Sequence, residues 1–356
     1  MMRRLWPWLA ILLALCAGPG ATQTPAPAPA RIIAVGDLHG DYDAWTAIAR
    51  AAGLIDARGR WAGGTTVLVQ TGDMVDREPD SRKIMDQLMR LEREAPRRGG
   101  RVIVLTGNHE AMNVTGDLRY VTPGEYAAFV TPDSARLRDL LFAQQGVAFA
   151  TRIGAAAKGL TPAQLRAQFE AETPLGLVEH QLAFDPAKGT YGKWIAANPV
   201  IVKLGDTLFV HGGLSAEYSA RTLDALNAQA RTELLAKSQD EKALINDPLG
   251  PLWYRGLVTR APEPGAPQAT VAAAASRPSI ADDLTQVLAA TGAKRIVVGH
   301  TPSLKGIIVD QDGRLVRIDS GNSRYYGGPL TYLEILGDRL APHTVPRPLP
   351  TPAKAR

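Results

Sequence analysis

Acidic, amide and imidazole side chains follow apolar runs at five points along the 356-residue chain. In Gly36-Asp37-Leu38-His39-Gly40 a carboxylate and an imidazole lie two residues apart, between glycines that allow a tight turn. Carboxylate and imidazole groups are common ligands of divalent metals in proteins. One such turn is more often only a turn, but five in one chain indicate a shared site. The candidates are Asp37, His39, Asp73, Asp76, Arg77, Asn108, His109, His211 and His300.

This set of side chains suits the cleavage of a phosphoester. The reaction needs positive charge against the phosphoryl group and a strong nucleophile at neutral pH, and two divalent ions roughly 3.5–4 Å apart can supply both. Asp73 is the predicted shared ligand of the two ions. A shell of imidazole, carboxylate and amide groups favours Mn²⁺, with Fe or Zn²⁺ as alternatives, over Mg²⁺. Asp37 and His39 would complete one ion, and Asn108, His211 and His300 the other.

Parallel strands are expected to position the first three stretches. Asp37, Asp73 and Asn108 are 36 and 35 residues apart, which is the length of one strand–helix unit. Ligands bind at the carboxyl edge of open α/β sheets, so the three side chains should meet at that edge. Apolar patterning predicts buried strands at 31–35, 65–71 and 101–106 and helices at 41–52 and 81–94.

Later strands carry the remaining candidate histidines. His211 follows a predicted strand at 207–210, and His300 follows one at 295–298. Helices are predicted at 221–237 and 280–290, one further strand at 200–204, and antiparallel strands that close the sheet at 307–310, 315–318 and 330–336.

Four other segments differ in composition from the predicted sheet. Segment 122–198 has no strand pattern, and helices are predicted to start at Thr122-Pro123, Thr131-Pro132-Asp133 and Thr161-Pro162, where a capping hydroxyl precedes a proline. This predicts a helical insertion over the active edge and outside the scaffold. The low-complexity stretch 261–275 predicts a mobile surface loop. Pro and Ala predict a spacer at 22–30 and a disordered tail at 341–356, leaving one catalytic domain at 31–340.

The first 21 residues have the pattern of a secretory signal peptide. Arg3 and Arg4 precede an apolar stretch and then small residues. The apolar stretch is short for a membrane helix, and a retained anchor or lipidation at Cys16 is the alternative. Cys16 is the only cysteine, so a processed chain has neither disulfides nor thiolate chemistry. We therefore expect a periplasmic or secreted protein with no membrane span after signal removal.

The charge balance excludes one class of partner. The formal net charge is +5, and loss of Arg3 and Arg4 lowers it to +3. No run of Lys and Arg alternates with aromatic residues, so nucleic acid is not an expected partner.

Four motifs resemble those of the phosphoprotein phosphatase branch of the calcineurin-like metallophosphoesterases. They are Gly36-Asp37-Leu38-His39-Gly40, Gly72-Asp73-Met74-Val75-Asp76-Arg77, Gly107-Asn108-His109-Glu110 and His211-Gly212-Gly213, and Gly299-His300-Thr301 resembles the last metal histidine. Glu110-Ala111-Met112-Asn113 with Asp117-Leu118-Arg119-Tyr120 is similar to the bacterial Shewanella-like subgroup. The resemblance covers about 31–336 and implies a four-layer αββα metallophosphoesterase sandwich with a helical cap insertion.

The resemblance also implies roles for particular residues. His109 would be the general acid, oriented by Asp76, which raises its pKa. Arg77 and Arg255 would clamp the phosphate, together with Asn108; a surface arginine is the alternative for Arg255. Glu78 stands where the family motif has glycine, and it either weakens anion binding or faces away. The stretch from Asp247 to Arg255 is also shorter than in eukaryotic members, and Tyr325 or Tyr326 is a further candidate.

These features predict a phosphomonoesterase in which metal-bound hydroxide attacks phosphorus in line. The expected substrate is a phosphorylated protein, with phosphotyrosine, phosphoserine or phosphothreonine, or a small phosphoester. A nucleotide or dinucleoside-polyphosphate hydrolase is the alternative with the same chemistry. A binding protein without turnover is the alternative from another class, and the complete set of candidate ligands argues against it.

Overall fold

The computed structural model describes residues 30–154, 158–261 and 277–348. Short runs of β-branched and aliphatic residues form the first of its two sheets. Strands β1, β2 and β3 are parallel, with Ile32 opposite Val67 and Val67 opposite Arg101. Strand β9 runs antiparallel to β1, and β10 antiparallel to β9. The bounds are β1 Ile32–Val35, β2 Val67–Gln70, β3 Arg101–Val104, β9 Leu330–Leu336 and β10 Arg339–Val345.

The second sheet has the order β4-β5-β6-β8-β7. Its strands β5, β6 and β8 are parallel, while β4 and β7 form antiparallel pairs with β5 and β8. The bounds are β4 Ile201–Leu204, β5 Thr207–Val210, β6 Arg295–Val298, β7 Ile308–Asp310 and β8 Leu315–Arg317.

Alternating residues of the strands face different layers. Ile32 and Ala34 lie in the apolar cluster between the sheets, with Phe209 and Val297 of the second sheet. Ile33, one position along, belongs to the outer cluster with the helices. This period of two places a helical layer outside each sheet and confirms the predicted αββα order. The helices are α1 Tyr42–Ala51, α2 Ser81–Glu94, α3 Asn108–Thr115, α4 Pro123–Ala127, α5 Ser134–Ile153, α6 Pro162–Glu172, α7 Leu177–Ala183, α8 Thr190–Ala197, α9 Ala216–Ser219, α10 Leu223–Leu235 and α11 Ile280–Thr291.

The helical insertion forms as predicted, with one correction. Helices α4 to α8 fill 123–197, and α4 and α6 begin at the predicted prolines. The insertion does not lie wholly outside the scaffold, because Tyr191 and Ile195 of α8 are buried in the main core. The hydroxyl of Thr106, which follows β3, also donates a hydrogen bond to the Ile195 carbonyl at 3.0 Å. The apolar face of α8 therefore packs within the helical layer that lies outside the sheet.

The end of the chain corrects two further predictions. Residues 341–345, assigned to a disordered tail, form part of β10, so the domain extends beyond residue 340. Pro342 is tolerated because β10 is an edge strand. Strand β8 is parallel to β6 instead of antiparallel, and β9 crosses to the other sheet. Composition and local pattern do not specify which neighbour a strand takes.

Some predictions fall outside the described residues. The signal peptide at 1–21 and the spacer up to residue 29 do so, as do 262–275 of the low-complexity loop and the last eight residues. Within 30–154, 158–261 and 277–348, no helix is both long and apolar enough to cross a membrane.

Candidate metal centre

Asp73 lies at the centre of the candidate site. It follows β2 in a left-handed conformation with φ of 54°. Its Oδ2 lies 3.3 Å from Nε2 of His211 and 3.8 Å from Nε2 of His39. Its Oδ1 accepts a hydrogen bond from the backbone N–H of His109 at 3.0 Å. Asp73 therefore joins the polar groups that follow β1, β3 and β5, as its predicted role as shared ligand requires.

His39 presents a lone pair to this carboxylate. Its Nδ1 lies 3.1 Å from the Val75 carbonyl, which only accepts, so Nδ1 carries the hydrogen and Nε2 does not. Burial, followed by the neighbouring His109, lowers the pKa of His39 to about 3 and keeps the ring neutral. Nε2 lies 4.0 Å from Oδ2 of Asp37. The pair predicted to complete one ion is thus brought together with Asp73.

His211 does the same on the other side of Asp73. Its Nδ1 lies 2.9 Å from the Thr71 carbonyl, so its Nε2 also bears a lone pair. That atom lies 2.9 Å from Oδ1 of Asn108 and 3.2 Å from Nδ1 of His300. Nε2 of His300 is buried and has no hydrogen-bond partner among the described residues. Acceptor atoms of His211, Asn108 and His300 therefore converge at a point where the protein supplies few hydrogen-bond donors.

These two clusters fit divalent cations. His39, Asp73 and His109 form one group and Asp73, His211 and His300 another, with all ligand atoms of each group within 4.8 Å of one another. His109 belongs to the first group by distance only, because it pairs with Asp76 and is the expected acid. Facing lone pairs repel unless a cation lies between them. Asp37 also favours a cation at this place, because burial, then the charges of Asp319 and Asp73, raise its pKa well above the usual range. The donor set therefore suits two ions that share Asp73.

His109 forms a tight pair with Asp76. Its Nδ1 lies 2.5 Å from Oδ2 of Asp76, and Asn113 donates to the other carboxylate oxygen at 2.9 Å. Burial opposes protonation of the ring, yet the charge of Asp73 and the hydrogen bond to Asp76 raise the pKa of His109. Nε2, the nitrogen left free, lies 3.9 Å from Asp73. The expected acid and its orienting carboxylate are thus brought together at the site.

Arg77 contacts two tyrosines at the rim. Its guanidinium carbon is 3.9 Å from the ring centroid of Tyr120 and 4.8 Å from that of Tyr325. Tyr326 lies on the same rim, with its ring 5.3 Å from that of His39. Both tyrosines proposed from the sequence therefore line the site, and Tyr120 joins them.

Arg255 lies on the His300 side and is half-buried. Its Nη1 donates to the His300 carbonyl at 2.6 Å and to the hydroxyl of Thr301 at 3.1 Å. The preceding Tyr254 donates its hydroxyl to the buried Asp283 at 2.9 Å, which anchors this turn. The two arginines thus flank the two ligand groups.

Several residues of the site were missed as functional candidates. The carboxylate of Glu110 accepts from the backbone N–H groups of Gly107 and Asp73, both at 2.8 Å, and of Met74 at 2.7 Å. Its place at the third position of α3, from which a glutamate can accept from the N-cap backbone N–H, is a signal that could have identified it. Asp319 is buried beside Asp37, and burial raises its pKa to about 6. It follows β8, whose place in the sheet the local pattern did not predict.

The site also holds most of the unusual backbone. Five of the eight non-glycine residues with positive φ in the described part of the chain are site candidates. Such conformations are costly and persist where the surrounding structure holds them, often at functional sites. The five are His39, Asp73, Asp76, Arg77 and His300.

Comparisons with known proteins agree with this geometry. The model of the calcineurin-like phosphoesterase family matches residues 30–304. An uncharacterized protein of Schizosaccharomyces pombe is 30% identical over 86% of this chain and 77% of its own length. Shewanella-like protein phosphatase 2 of Arabidopsis thaliana is 31% identical over 85% of this chain and 74% of its own length. The crystal structure of a cold-active protein-tyrosine phosphatase from a psychrophilic Shewanella species shares the fold, with a TM-score of 0.60, 24% identity, and coverage of 89% of this chain and 80% of that one. The chain therefore belongs to the calcineurin-like phosphoesterase family and is a metal-dependent phosphatase.

Proposed function

We propose that this phosphatase is a dinuclear-metal phosphomonoesterase that acts on phosphoproteins. The observation that carries the proposal is the turning of Nε2 of His39 and Nε2 of His211 toward the one carboxylate of Asp73. Two divalent ions held there would draw charge from the phosphoryl oxygens and lower the pKa of water toward about 7. Mn²⁺ suits the mixed donor set, with Fe or Zn²⁺ as alternatives.

The arginines bind the phosphoryl group. Arg77 and Arg255 approach from opposite ligand groups, and a guanidinium matches two phosphoryl oxygens at once. Asn108 contributes beside them through its side-chain N–H, because its amide oxygen lies in the second ligand group. Together they hold the phosphorus in line for direct transfer of the phosphoryl group to water.

His109 protonates the leaving oxygen. Asp76 occupies Nδ1 and raises the pKa of the ring, so the proton to be given away is on Nε2. A proton supplied at that point matters most when the leaving group is a poor one, such as the alkoxide of serine.

The proposed substrate class is phosphorylated protein, with phosphotyrosine and phosphoserine or phosphothreonine both included. The name of the Arabidopsis relative supports this class.

The test begins with metal-stripped protein. We expect Mn²⁺ to restore hydrolysis of p-nitrophenyl phosphate and of a phosphopeptide, with weaker recovery by Mg²⁺. His109→Ala should lower kcat by about 10²-fold or more on a phosphoserine peptide and less on p-nitrophenyl phosphate, whose leaving group needs no proton. His343→Ala, far along β10, is the matched control.

Two outcomes would overturn the proposal. No turnover of any ester with any metal would remove the enzymatic assignment of these residues. Turnover of a dinucleoside tetraphosphate with none of phosphopeptides would replace the phosphoprotein class by the nucleotide class.

We also propose that residues 1–21 direct export to the periplasm or beyond. The basic start, the apolar stretch and the small residues after it support this proposal. Mass spectrometry of the protein from its native envelope fraction should find a chain that begins near residue 22. An intact N-terminus in the cytoplasmic fraction would contradict it.

A further inference from the structure

The Arg77 guanidinium contacts two tyrosine rings. Its carbon lies 3.9 Å from the ring centroid of Tyr120 and 4.8 Å from that of Tyr325. Nη1 also donates to the hydroxyl of Tyr325 at 3.1 Å. A cation over an aromatic face is attracted by the negative ring surface, and two faces restrict a side chain that otherwise has many rotamers.

The rings come from two distant parts of the chain. Tyr120 precedes the helical insertion, and its carbonyl accepts from the backbone N–H of Arg77 at 3.2 Å. Tyr325 lies in the loop between β8 and β9, where Arg77 reaches its hydroxyl. The two rings therefore come to one guanidinium from segments that are about two hundred residues apart in the chain.

The Tyr325 loop is fixed at further points. Asn322 donates its side-chain amide to the Asp37 carbonyl at 3.1 Å. The backbone N–H and Nη1 of Arg324 bind the buried carboxylate of Asp41 at 2.9 and 3.0 Å. These bonds fix the loop that carries Tyr325 to the turn after β1.

One donor of Arg77 has no partner among the described residues. Its Nε is buried and makes no hydrogen bond, although Nη1 and the backbone N–H do. An unpaired buried donor is unfavourable. An oxygen of a bound phosphoryl group would satisfy it.

We infer that Tyr120 and Tyr325 are positioning residues that hold the Arg77 guanidinium for the substrate phosphate. The inference rests on the proposed phosphatase function of this site. The two tyrosine rings would affect the binding of the phosphate and not the departure of the leaving group. Its effect must therefore pass through Arg77 and be the same for every leaving group.

The experiment uses metal-loaded protein and the variants Tyr120→Leu, Tyr325→Leu and Tyr325→Phe. The readouts are KM and kcat on a phosphotyrosine and a phosphoserine peptide, and the Kd of inorganic phosphate by calorimetry. Tyr42→Leu is the matched control, because Tyr42 also lies near a cation, Lys83, at 5.9 Å. The side chain of Tyr325 is 56% exposed, so its loss removes little buried area.

We expect each leucine variant to raise KM and the phosphate Kd by about tenfold, with kcat within about twofold of wild type. The factor should be equal for both peptides. Tyr325→Phe, which keeps the ring, should stay within about threefold of wild type.

A double-mutant cycle decides whether the effect passes through Arg77. In the Arg77→Ala background, Tyr325→Leu should change neither KM nor the phosphate Kd. A remaining effect there, or a rise in KM on the phosphotyrosine peptide alone, would overturn the inference. Absence of turnover and of phosphate binding in the wild-type protein would instead contradict the proposed function, so the two failures are distinguishable.

Discussion

Nδ1 of His109 lies 2.5 Å from the carboxylate of Asp76, and the other ring nitrogen lies 3.9 Å from Asp73. The imidazole of His109 therefore lies between Asp73, at the centre of the site, and the carboxylate of Asp76. Asn113 and the helix α3 fix both partners. The ring orientation is thus decided before any substrate arrives.

Asp76→Asn should move the basic limb of the kcat–pH profile to lower pH. The negative charge of Asp76 is one of the groups that raise the pKa of His109, and the amide lacks that charge. Since the acid must carry its proton, a lower pKa means that activity is lost at lower pH. Rate measurements between pH 5 and 10 test this, with Asp310→Asn on exposed β7 as the control. A limb at the wild-type position would contradict the role of Asp76.

Asp73→Asn should lower the metal content below that of wild type. The amide offers one oxygen instead of two and no negative charge, and this side chain faces both ligand groups. We expect a loss of 10- to 100-fold in metal affinity, by the magnitude known for altered metal shells. Elemental analysis after dialysis measures it, with Asp312→Asn as the surface control. Full occupancy of two ions in the variant would argue against Asp73 as the shared ligand.

Arg255→Lys should weaken phosphate binding. The guanidinium is held beside the site by the His300 carbonyl and Thr301, and its planar fork matches two phosphoryl oxygens, while an ammonium is a single point charge. We expect KM and the Kd of inorganic phosphate to rise by about tenfold or more. Arg119→Lys, in an exposed ion pair with Asp117, is the control. Equal KM values for the two variants would assign Arg255 to structure alone.

His180→Phe should flatten the dependence of stability on acid pH. His180 is buried among Tyr126, Phe129 and Phe184, and burial lowers its pKa to about 4. In the unfolded chain His180 takes up a proton near pH 6.5. The contribution of the neutral ring to the free energy of unfolding is therefore complete above that pH and is lost as the pH falls toward 4. The loss amounts to about 3 kcal/mol. Urea unfolding of both proteins at pH 7, 5.5 and 4.5 measures it. Parallel slopes would show that His180 does not titrate in this range.

Local pattern was sufficient for much of the scaffold. Apolar runs ending in glycine located β1, β2, β3, β5 and β6, because a buried parallel strand needs continuous β-branched and aliphatic residues. The same runs placed Asp37, Asp73 and Asn108 at one edge, since parallel strands share their carboxyl ends. Helix starts in the insertion followed from hydroxyl–proline pairs, which satisfy and pre-set the first turn.

Local sequence pattern did not predict which strands and side chains pair when they are far apart in the chain. Strand β8 pairs with β6, and β10 extends the first sheet, because hydrogen-bond partners are chosen by the whole fold and not by nearby residues. Asp319 reaches Asp37, and Tyr325 reaches Arg77, across more than two hundred residues each.

The sequence alone determined which side chains are available and, through strand period and turn glycines, which edge of the sheet they reach. Only the tertiary structure decided which nitrogen of each histidine faces Asp73 and which rings contact Arg77. Those choices depend on carbonyl and carboxylate partners such as Thr71, Val75 and, for the loop that carries Tyr325, Asp41. Each partner acts through a hydrogen bond of about 3 Å, a distance that only a packed fold can fix.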